Sequence, residues 1–231
     1  MRATAAALLL FVTGCSELIG SGVAVSERRA VGEYKGVAVR SGLRARLGVG
    51  PQDVVITTDD NLIRLIETKV ENGLLVIQVP SNVALRFRSF EASVTSPELN
   101  SIDGSGGAAI AGEVRTPATF RVASSGGSNL NLTGLGPSRL TVDASGGCVV
   151  TLGGWSRAEV LAASGGSRLE LSGLRAVTAE LSLSGASTAT VRVSEAVSGQ
   201  LSGGSRLRIM GDPSHRELEL SGGSSYDLVP D

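Results

Sequence analysis

The residue types best suited to catalysis are few and widely spaced in this sequence. Asp103 and Asp143 each precede a Ser-Gly-Gly triplet by two residues, and a pair of carboxyl groups is what a glycoside hydrolase uses. The only histidine, His215, lies close to Asp212 but has no nucleophile beside it, and one histidine cannot make the usual metal site. We therefore expect no catalytic residues, no metal and no other cofactor.

Serine and glycine are abundant, but their motifs do not carry nucleophilic or nucleotide-binding chemistry. The sequence has no Gly-x-Ser-x-Gly elbow and no Ser-x-x-Lys motif. Its glycine pairs lack the Lys-Ser or Lys-Thr ending of a phosphate-binding loop, and aspartate does not recur as it does in calcium-binding nonapeptide repeats. We interpret the triplets as structural corners.

The N-terminus carries a chemical signal of another kind. A short positive leader precedes an apolar run at residues 5–12, and the tetrad Val-Thr-Gly-Cys that ends at Cys15 resembles the bacterial lipobox, whose cysteine thiol receives diacylglycerol. The apolar run is too short to cross a bilayer, which takes about 20 residues. Residues 1–14 are therefore predicted to be a lipoprotein signal peptide.

A lipid on Cys15 would hold the mature chain to a membrane. Ser16 stands at the next position instead of aspartate, which resembles lipoproteins sorted to the outer membrane. Residues 15–30 contain a Gly-Ser-Gly sequence and charged residues, and we interpret them as a tether. Acylation of Cys15 leaves Cys148 without a disulfide partner.

Composition excludes some classes of partner. The 21 basic and 22 acidic residues give a net charge of −1, so the whole chain has no electrostatic footprint for nucleic acid. Hydrophobic residues make up 42% of the chain and aromatic residues only 3%, which predicts an aliphatic core. The 31 glycines occur with only 7 prolines, so they serve an ordered architecture and not a disordered polymer.

A repeat of 18 to 20 residues determines the predicted fold. Each copy is marked by a Ser-Gly-Gly or Ser-Gly-Ala triplet, whose serines are Ser105, Ser125, Ser145, Ser164, Ser184, Ser202 and Ser221. Apolar residues recur with period two on both sides of the triplet, the pattern of strand, turn and strand. A unit this short cannot bury its own apolar face, so we expect the copies to stack in parallel about 4.8 Å apart.

The columns of this stack divide into inward and outward positions. The third residue after each serine is always small, and Cys148 belongs to this column, so we interpret it as a compact buried residue and not a reactive thiol. The positions four and six after the serine are mostly polar. A plain solvated sheet face has the same pattern, and it is the simpler interpretation. The residues of our candidate binding face are Asn129, Asn131, Thr151, Arg168, Glu170, Thr188, Thr190, Arg206 and Arg208.

The chain before the repeats is also β-rich but less regular. Short strands are predicted around residues 37–39, 47–49 and 54–56, and residues 70–79 contain Asn72-Gly73, a strong hairpin signal. Residues 60–67 are compatible with one short helix. We expect residues 31–98 to form a β-rich N-terminal cap and residues 99–229 to hold seven repeats, both within a single domain at 31–231.

Residues 34–229 resemble the putative auto-transporter adhesin, head GIN domain family of bacterial envelope proteins. The resemblance rests on the sequence Val-Val-Ile-Thr-Thr-Asp-Asp-Asn-Leu from residue 54, on Val-Glu-Asn-Gly-Leu-Leu-Val-Ile from residue 70, and on the run of Ser-Gly-Gly corners. It implies an all-β fold, a right-handed parallel β-helix or β-solenoid. It supplies no catalytic residues.

These features predict a non-catalytic lipoprotein of the bacterial cell envelope, anchored by lipid in the outer membrane. The rod would act as a structural or adhesive module, with a glycan or an envelope protein as partner and no nucleic acid. One alternative is a polysaccharide-active β-helix enzyme, a lyase or a glycosidase, which would need clustered carboxyl groups in a groove with exposed rings. A second alternative is an accessory protein in envelope stress signalling.

Overall fold

The computed structural model describes residues 17–229, and in these the chain is nearly all-β. Where the sequence is compatible with a short helix over residues 60–67, the structure has one turn of 3-10 helix at Ile63–Leu65. In this range of the chain, no helix is both long and apolar enough to span a bilayer. The expected signal peptide, Cys15 and Ser16 lie outside the described residues.

The strands follow one another with few long connections. Before residue 99 they are β1 Leu18–Ile19, β2 Ala24–Arg28, β3 Gly36–Val39, β4 Arg44–Val49, β5 Asp53–Asp59, β6 Glu67–Glu71, β7 Leu74–Gln78, β8 Leu85–Arg86 and β9 Phe90–Ser96. After it they are β10 Ser101–Gly104, β11 Ala109–Glu113, β12 Thr119–Ser125, β13 Asn129–Leu135, β14 Arg139–Ser145, β15 Val149–Ala163, β16 Arg168–Leu183, β17 Thr188–Leu201, β18 Arg206–Met210, β19 His215–Leu220 and β20 Ser225–Val229.

Equivalent residues of successive repeats lie side by side. Ile102 pairs with Val122, which pairs with Val142, and the parallel register continues through β15, β16, β17 and β19. The strands after the corners pair in the same parallel way from β11 to β20. The predicted β-solenoid is therefore confirmed, with about six turns.

The corners explain why each repeat carries two small residues after its serine. Gly165 and Gly166 have φ of 63° and 77°, values at which a side chain is strained. The next small residue closes the corner, since the Ser167 hydroxyl donates to the Ser164 carbonyl oxygen at 2.8 Å. Cys148 is fully buried in the same column, with its thiol 3.0 Å from the Ser145 carbonyl oxygen, so its interpretation as a compact buried residue is confirmed.

The N-terminal cap contains a regular coil that the triplet search does not reveal. β3 and β4 pair in parallel with β10 and β11, so Val37 lies beside Ile102 and Ala45 beside Ile110. Between these strands Ser41 and Gly42 have φ of 59° and 70°, the geometry of the later corners. On the other side of this coil β7 and β9 form a further layer, again in parallel.

Antiparallel strands close this end of the solenoid. β6 pairs with β7 through the predicted hairpin, and Asn72 and Gly73 at its turn have φ of 52° and 76°. β5 pairs with β9, and β2 pairs with β5. Covering the end in this way removes the free strand edges that invite association with other chains.

The prediction that residues 15–30 form a tether is wrong for those of them that the structure describes. β1 pairs with β8 and β2 with β5, so these residues belong to the folded cap. The buried carboxylate of Asp59 holds them, because it accepts the backbone N–H of Gly22 at 2.8 Å and that of Arg88 at 2.9 Å. Burial works to raise the pKa of Asp59, but these N–H groups outweigh it and leave the pKa below its usual value.

The far end of the solenoid is open in the described part of the chain. In the earlier coils the inward columns are almost completely buried. In the last coil the inward side chains Leu220, Tyr226 and Leu228 remain 42%, 40% and 40% exposed, because no described layer covers them. The inward side chains of this coil are therefore only partly enclosed.

One carboxyl group interrupts the aliphatic core. Glu159 lies between Leu140 and Ala179 in an inward column and is 2% exposed. Its Oε1 accepts a hydrogen bond from the Ser156 hydroxyl at 3.0 Å, while its Oε2 has no partner. Burial raises the pKa of Glu159 to about 7, against the smaller opposing effect of the Ser156 bond.

Substitution of two adjacent glycines tests how closely successive coils approach each other. Gly154 has φ of 137°, and a Cβ there would collide with the Leu135 carbonyl oxygen of the preceding coil. We expect Gly154→Ala to lower the free energy of unfolding by at least about 2 kcal/mol. Gly153→Ala is the matched control, because its Cβ would meet nothing closer than 3.7 Å, and it should cost less than about 1 kcal/mol. Equal losses in urea unfolding would contradict this account.

Glu159 predicts a dependence of stability on pH. Its pKa is about 7 in the folded chain and about 4.3 when unfolded, so the folded state binds the extra proton between these values. The free energy of unfolding should fall by roughly 3 kcal/mol as the pH rises through this window. Glu159→Gln keeps a neutral group and should remove this fall, whereas Glu180→Gln, at an exposed position of the next coil, should not. Urea unfolding at pH 4 and pH 8 measures the difference, and an unchanged slope in Glu159→Gln would show that this carboxyl is not responsible.

Candidate functional site

The predicted polar face forms one continuous surface. Asn129, Arg168, Thr188 and Arg206 fall in one column across successive coils, in which Val149 is the only apolar member between them. The second column, two residues further along each strand, holds Asn131, Thr151, Glu170, Thr190 and Arg208. All nine predicted residues are thus brought together, and each is exposed or half-buried.

The coil hidden in the cap extends both columns. Arg44 lies beside Ala109, which precedes Asn129, and Arg46 lies beside Ala111, which precedes Asn131. The sequence analysis missed these two arginines because it counted coils only from the first Ser-Gly-Gly triplet. The Ser-Gly pair at residues 41–42 is the signal that would have identified them.

The polar face contains several arginines, two of which pair with carboxylates. Arg168 and Glu170 form an exposed ion pair at 3.4 Å, and Arg46 and Glu91 another at 3.5 Å. Exposed pairs of this kind contribute little to stability, so they can exchange partners at small cost. Because the residues repeat every coil, about 4.8 Å apart, the face can offer the same weak polar contact many times to an extended partner.

Asp103 and Asp143 lie on another side of the solenoid, along a shallow groove of about 390 Å³. Ala123 separates them in register, so they are two coils apart, as the repeat predicts. The Asp143 carboxylate is bound to the Arg121 guanidinium at 2.8 Å, and otherwise the groove is lined by alanine and serine. This arrangement matches a solvated surface better than an acid and base pair.

A second groove, of about 420 Å³, is acidic and was missed by the sequence analysis. Glu180, Glu217 and Glu219 line it, with Gln200 bonded to Glu219 at 3.1 Å. Glu180 and Glu217 each stand four residues before a corner serine, and this constant offset is the signal that would have identified the grouping. Within residues 17–229, no group of three or more His, Cys, Asp and Glu side chains is placed to hold a metal ion.

The histidine and its neighbouring aspartate do not act together. His215 begins β19 in an exposed position, and its Nδ1 lies 2.9 Å from the Ser214 hydroxyl. The Asp212 carboxylate is bound to Arg216 at 3.3 Å. His215 is therefore an exposed side chain at the start of a strand.

One cleft combines an aromatic ring with cationic side chains. It has a volume of about 550 Å³, and Trp155, Arg175, Arg192 and Asp212 are among the residues that line it. The sequence analysis did not single out this tryptophan, which is 45% exposed. No sequence signal connects these residues, because the register shifts between the corners and their offset from the corner serine is not constant.

Solved structures share the fold at low sequence identity. An adhesin, described as putative, from Bacteroides fragilis is 20% identical with a TM-score of 0.86, and the match covers 92% of this chain and 100% of that one. A putative lipid binding protein from Parabacteroides distasonis is 16% identical with a TM-score of 0.72, covering 93% and 100%. A putative adhesin from Parabacteroides merdae is 14% identical with a TM-score of 0.60, covering 92% and 99%.

Comparison with curated proteins finds no match. The family model described as "Putative auto-transporter adhesin, head GIN domain" matches residues 33–213, which is most of the chain. The parallel stack of coils and the family match agree with each other, and the protein belongs to this adhesin-like family of bacterial domains.

Proposed function

We propose that this protein is a non-catalytic adhesive module of the bacterial cell envelope, held to the outer membrane by a lipid on Cys15. The polar face binds an extended partner, a glycan or an envelope protein, along the axis of the solenoid. Membership of an adhesin-like family supports the adhesive role and the envelope location. The lipid anchor rests on the lipobox-like tetrad of the sequence.

The observation that carries this proposal is the alignment of nine polar residues in two columns, four in the first and five in the second, across successive coils. A rigid backbone holds these side chains at a constant spacing, so a partner with repeated chemical groups can meet several of them at once. Each contact is weak, but linked contacts raise the overall affinity far above that of one. No deep pocket is needed for this kind of binding.

The anchor also determines which end of the rod faces the membrane. Leu18 in β1 is three residues after Cys15, and three residues of fully extended chain span at most about 11 Å. The cap end of the solenoid therefore lies against the bilayer. Leu18, Ile19 and Val23 there are 46%, 53% and 57% exposed, and Arg86 pairs with Ile19 in register, so apolar side chains and a cation both face the lipid.

The lipid anchor is tested by metabolic labelling with a fatty acid. We expect label on the wild-type chain expressed in a bacterium with lipoprotein processing enzymes, and none on Cys15→Ala. Cys148→Ser is the control, because the small column tolerates serine and the thiol is buried, so its labelling should remain unchanged. Label retained by Cys15→Ala would contradict the anchor.

The binding face is tested with envelope polysaccharide immobilised on a surface. A chain with Asn131→Ala, Thr190→Ala and Arg208→Ala, all in one column, should bind at least roughly tenfold more weakly because linked contacts are lost together.

The control for this test carries Arg121→Ala, Asp143→Ala and Asp103→Ala on the other side of the solenoid, and it should bind like the wild type. If the control bound the polysaccharide more weakly than the wild type while the column variant bound it normally, adhesion would be placed on the Asp103 side of the solenoid. Release of shortened polysaccharide by the wild type would instead favour an enzyme.

A further inference from the structure

The only tryptophan of the protein is held in an exposed position. Trp155 is 45% exposed, although the interior of the solenoid is aliphatic and an indole ring has much apolar surface to bury. It lies in the segment of β15 that connects the strand after one corner to the strand before the next. Ser156 beside it is fully buried, so Trp155 and the exposed Arg157 point outwards on the same side.

Cationic side chains continue this surface in the neighbouring coils. Arg175 is level with Trp155 in the next coil, and Arg192 is level with Arg175 in the coil after that. In parallel strands this register puts successive backbones about 4.8 Å apart. Arg192 is oriented by its Nε, which donates to the Ser172 carbonyl oxygen at 3.1 Å.

Two of these cations lack a counter-charge. Within the part of the chain that the structure describes, the guanidinium groups of Arg157 and Arg175 have neither a hydrogen bond nor an ion pair. Arginines on other sides of the solenoid do have carboxylate partners, as Arg121 has Asp143 at 2.8 Å and Arg168 has Glu170 at 3.4 Å. Among the described residues, the exposed Arg206 and Arg208 also lack a carboxylate partner, so what distinguishes this surface is that its unpaired cations lie beside an exposed indole ring.

The carboxyl groups nearest to this surface do not neutralise it. Asp212 lines the same cleft, but its carboxylate is bound to Arg216 at 3.3 Å. Glu159, four residues after Trp155, is buried in the core on the opposite side of the strand, where burial favours its neutral form. The cleft of about 550 Å³ thus joins an aromatic surface to cationic walls.

We propose that this cleft binds an acidic polysaccharide, through a uronic acid unit. The indole of Trp155 packs against the apolar C–H face of the sugar ring, and the planar guanidinium of Arg175 takes the carboxylate in a bidentate hydrogen bond. Arg157, which is exposed two residues after Trp155, meets the carboxylate of the next unit. This site goes beyond the proposed function, since it lies on a different side of the solenoid from the polar face.

A sugar suits the cleft better than a lipid headgroup. The lipid-facing end in the proposed function is the cap, whereas Trp155 and Arg175 belong to coils after the third and fourth corners of the repeat, well removed from that end. A headgroup would also leave the indole without a ring to pack against. A flexible polymer can reach the side of the rod at this height, and a bilayer surface cannot.

The probe is polygalacturonate, with its fully methyl-esterified form as the matched control. Trp155 is the only tryptophan, so its fluorescence reports binding in the full chain directly. We expect the acidic polymer to change the fluorescence and to bind at least tenfold more tightly than the esterified form, which keeps the sugar ring and loses the charge. Affinity should fall as salt increases, because the contact is in part an exposed charge pair.

Substitutions assign the contacts, with affinities measured by calorimetry. Trp155→Ala and Arg175→Ala should each weaken binding of polygalacturonate at least tenfold. The affinity of Arg175→Lys should lie between those of Arg175→Ala and the wild type, because lysine keeps the charge but cannot form the bidentate hydrogen bond. Arg121→Ala, at an exposed arginine on the Asp103 side of the solenoid, should bind like the wild type. Unfolding midpoints equal to that of the wild type establish that the variants are folded.

Three results would overturn this site. Equal binding of the acidic and esterified polymers would remove the role of the cations. Loss of binding in Arg208→Ala but not in Arg175→Ala would move the contact to the polar face, leaving the proposed function standing while this site fails. Tryptophan-dependent binding to vesicles containing phosphatidylglycerol, without binding to polygalacturonate, would identify a lipid site instead.

Discussion

The structure depends on one constraint, the parallel hydrogen bonding of each coil to the next in constant register. Backbone groups of one layer can bond those of another only if each turn of the chain returns to the same position about 4.8 Å away. The corners make this return possible, because positive φ values at glycine and a hydroxyl that bonds back to the corner serine reproduce the same turn each time. Cys148 and the serines of its column are small for the same reason, since a larger side chain would separate the layers.

The same constraint makes the two ends of the solenoid unequal. At the N-terminal end β6, β5 and β2 run antiparallel and cover the layer formed by β7 and β9. At the other end the inward residues Leu220, Tyr226 and Leu228 of the last coil are 40% exposed or more in the described part of the chain. A coil buries its inward side chains only against the coils on either side of it, so each end of the solenoid has to be covered separately.

In a stack of coils, the position of a residue along the chain determines where its side chain lies on the surface. Side chains two residues apart on one strand recur in every coil, which produces the polar face, while residues far apart in the sequence meet on one side, which produces the acidic groove and the cleft at Trp155. The backbone register supplies the rigidity, so the side chains are positioned without a folded pocket. This suits binding to long polymers better than it suits the enclosed chemistry of an active site.

The sequence by itself determined the repeated coils, because the triplets and the alternating apolar residues impose local geometry that the parallel stack then repeats. It also placed all nine residues of the polar face, since their offset from each corner is constant. It could not reveal the cap coil, whose corner at Ser41 lacks the usual triplet, or the burial of Glu159. Only the tertiary structure decided that Trp155 and Arg175 meet, because the register shifts between Thr151 and Gly153 and between Leu171 and Arg175. These connecting segments differ in length from coil to coil, so the neighbour of a side chain there depends on how each bulge is accommodated by the layer beneath it.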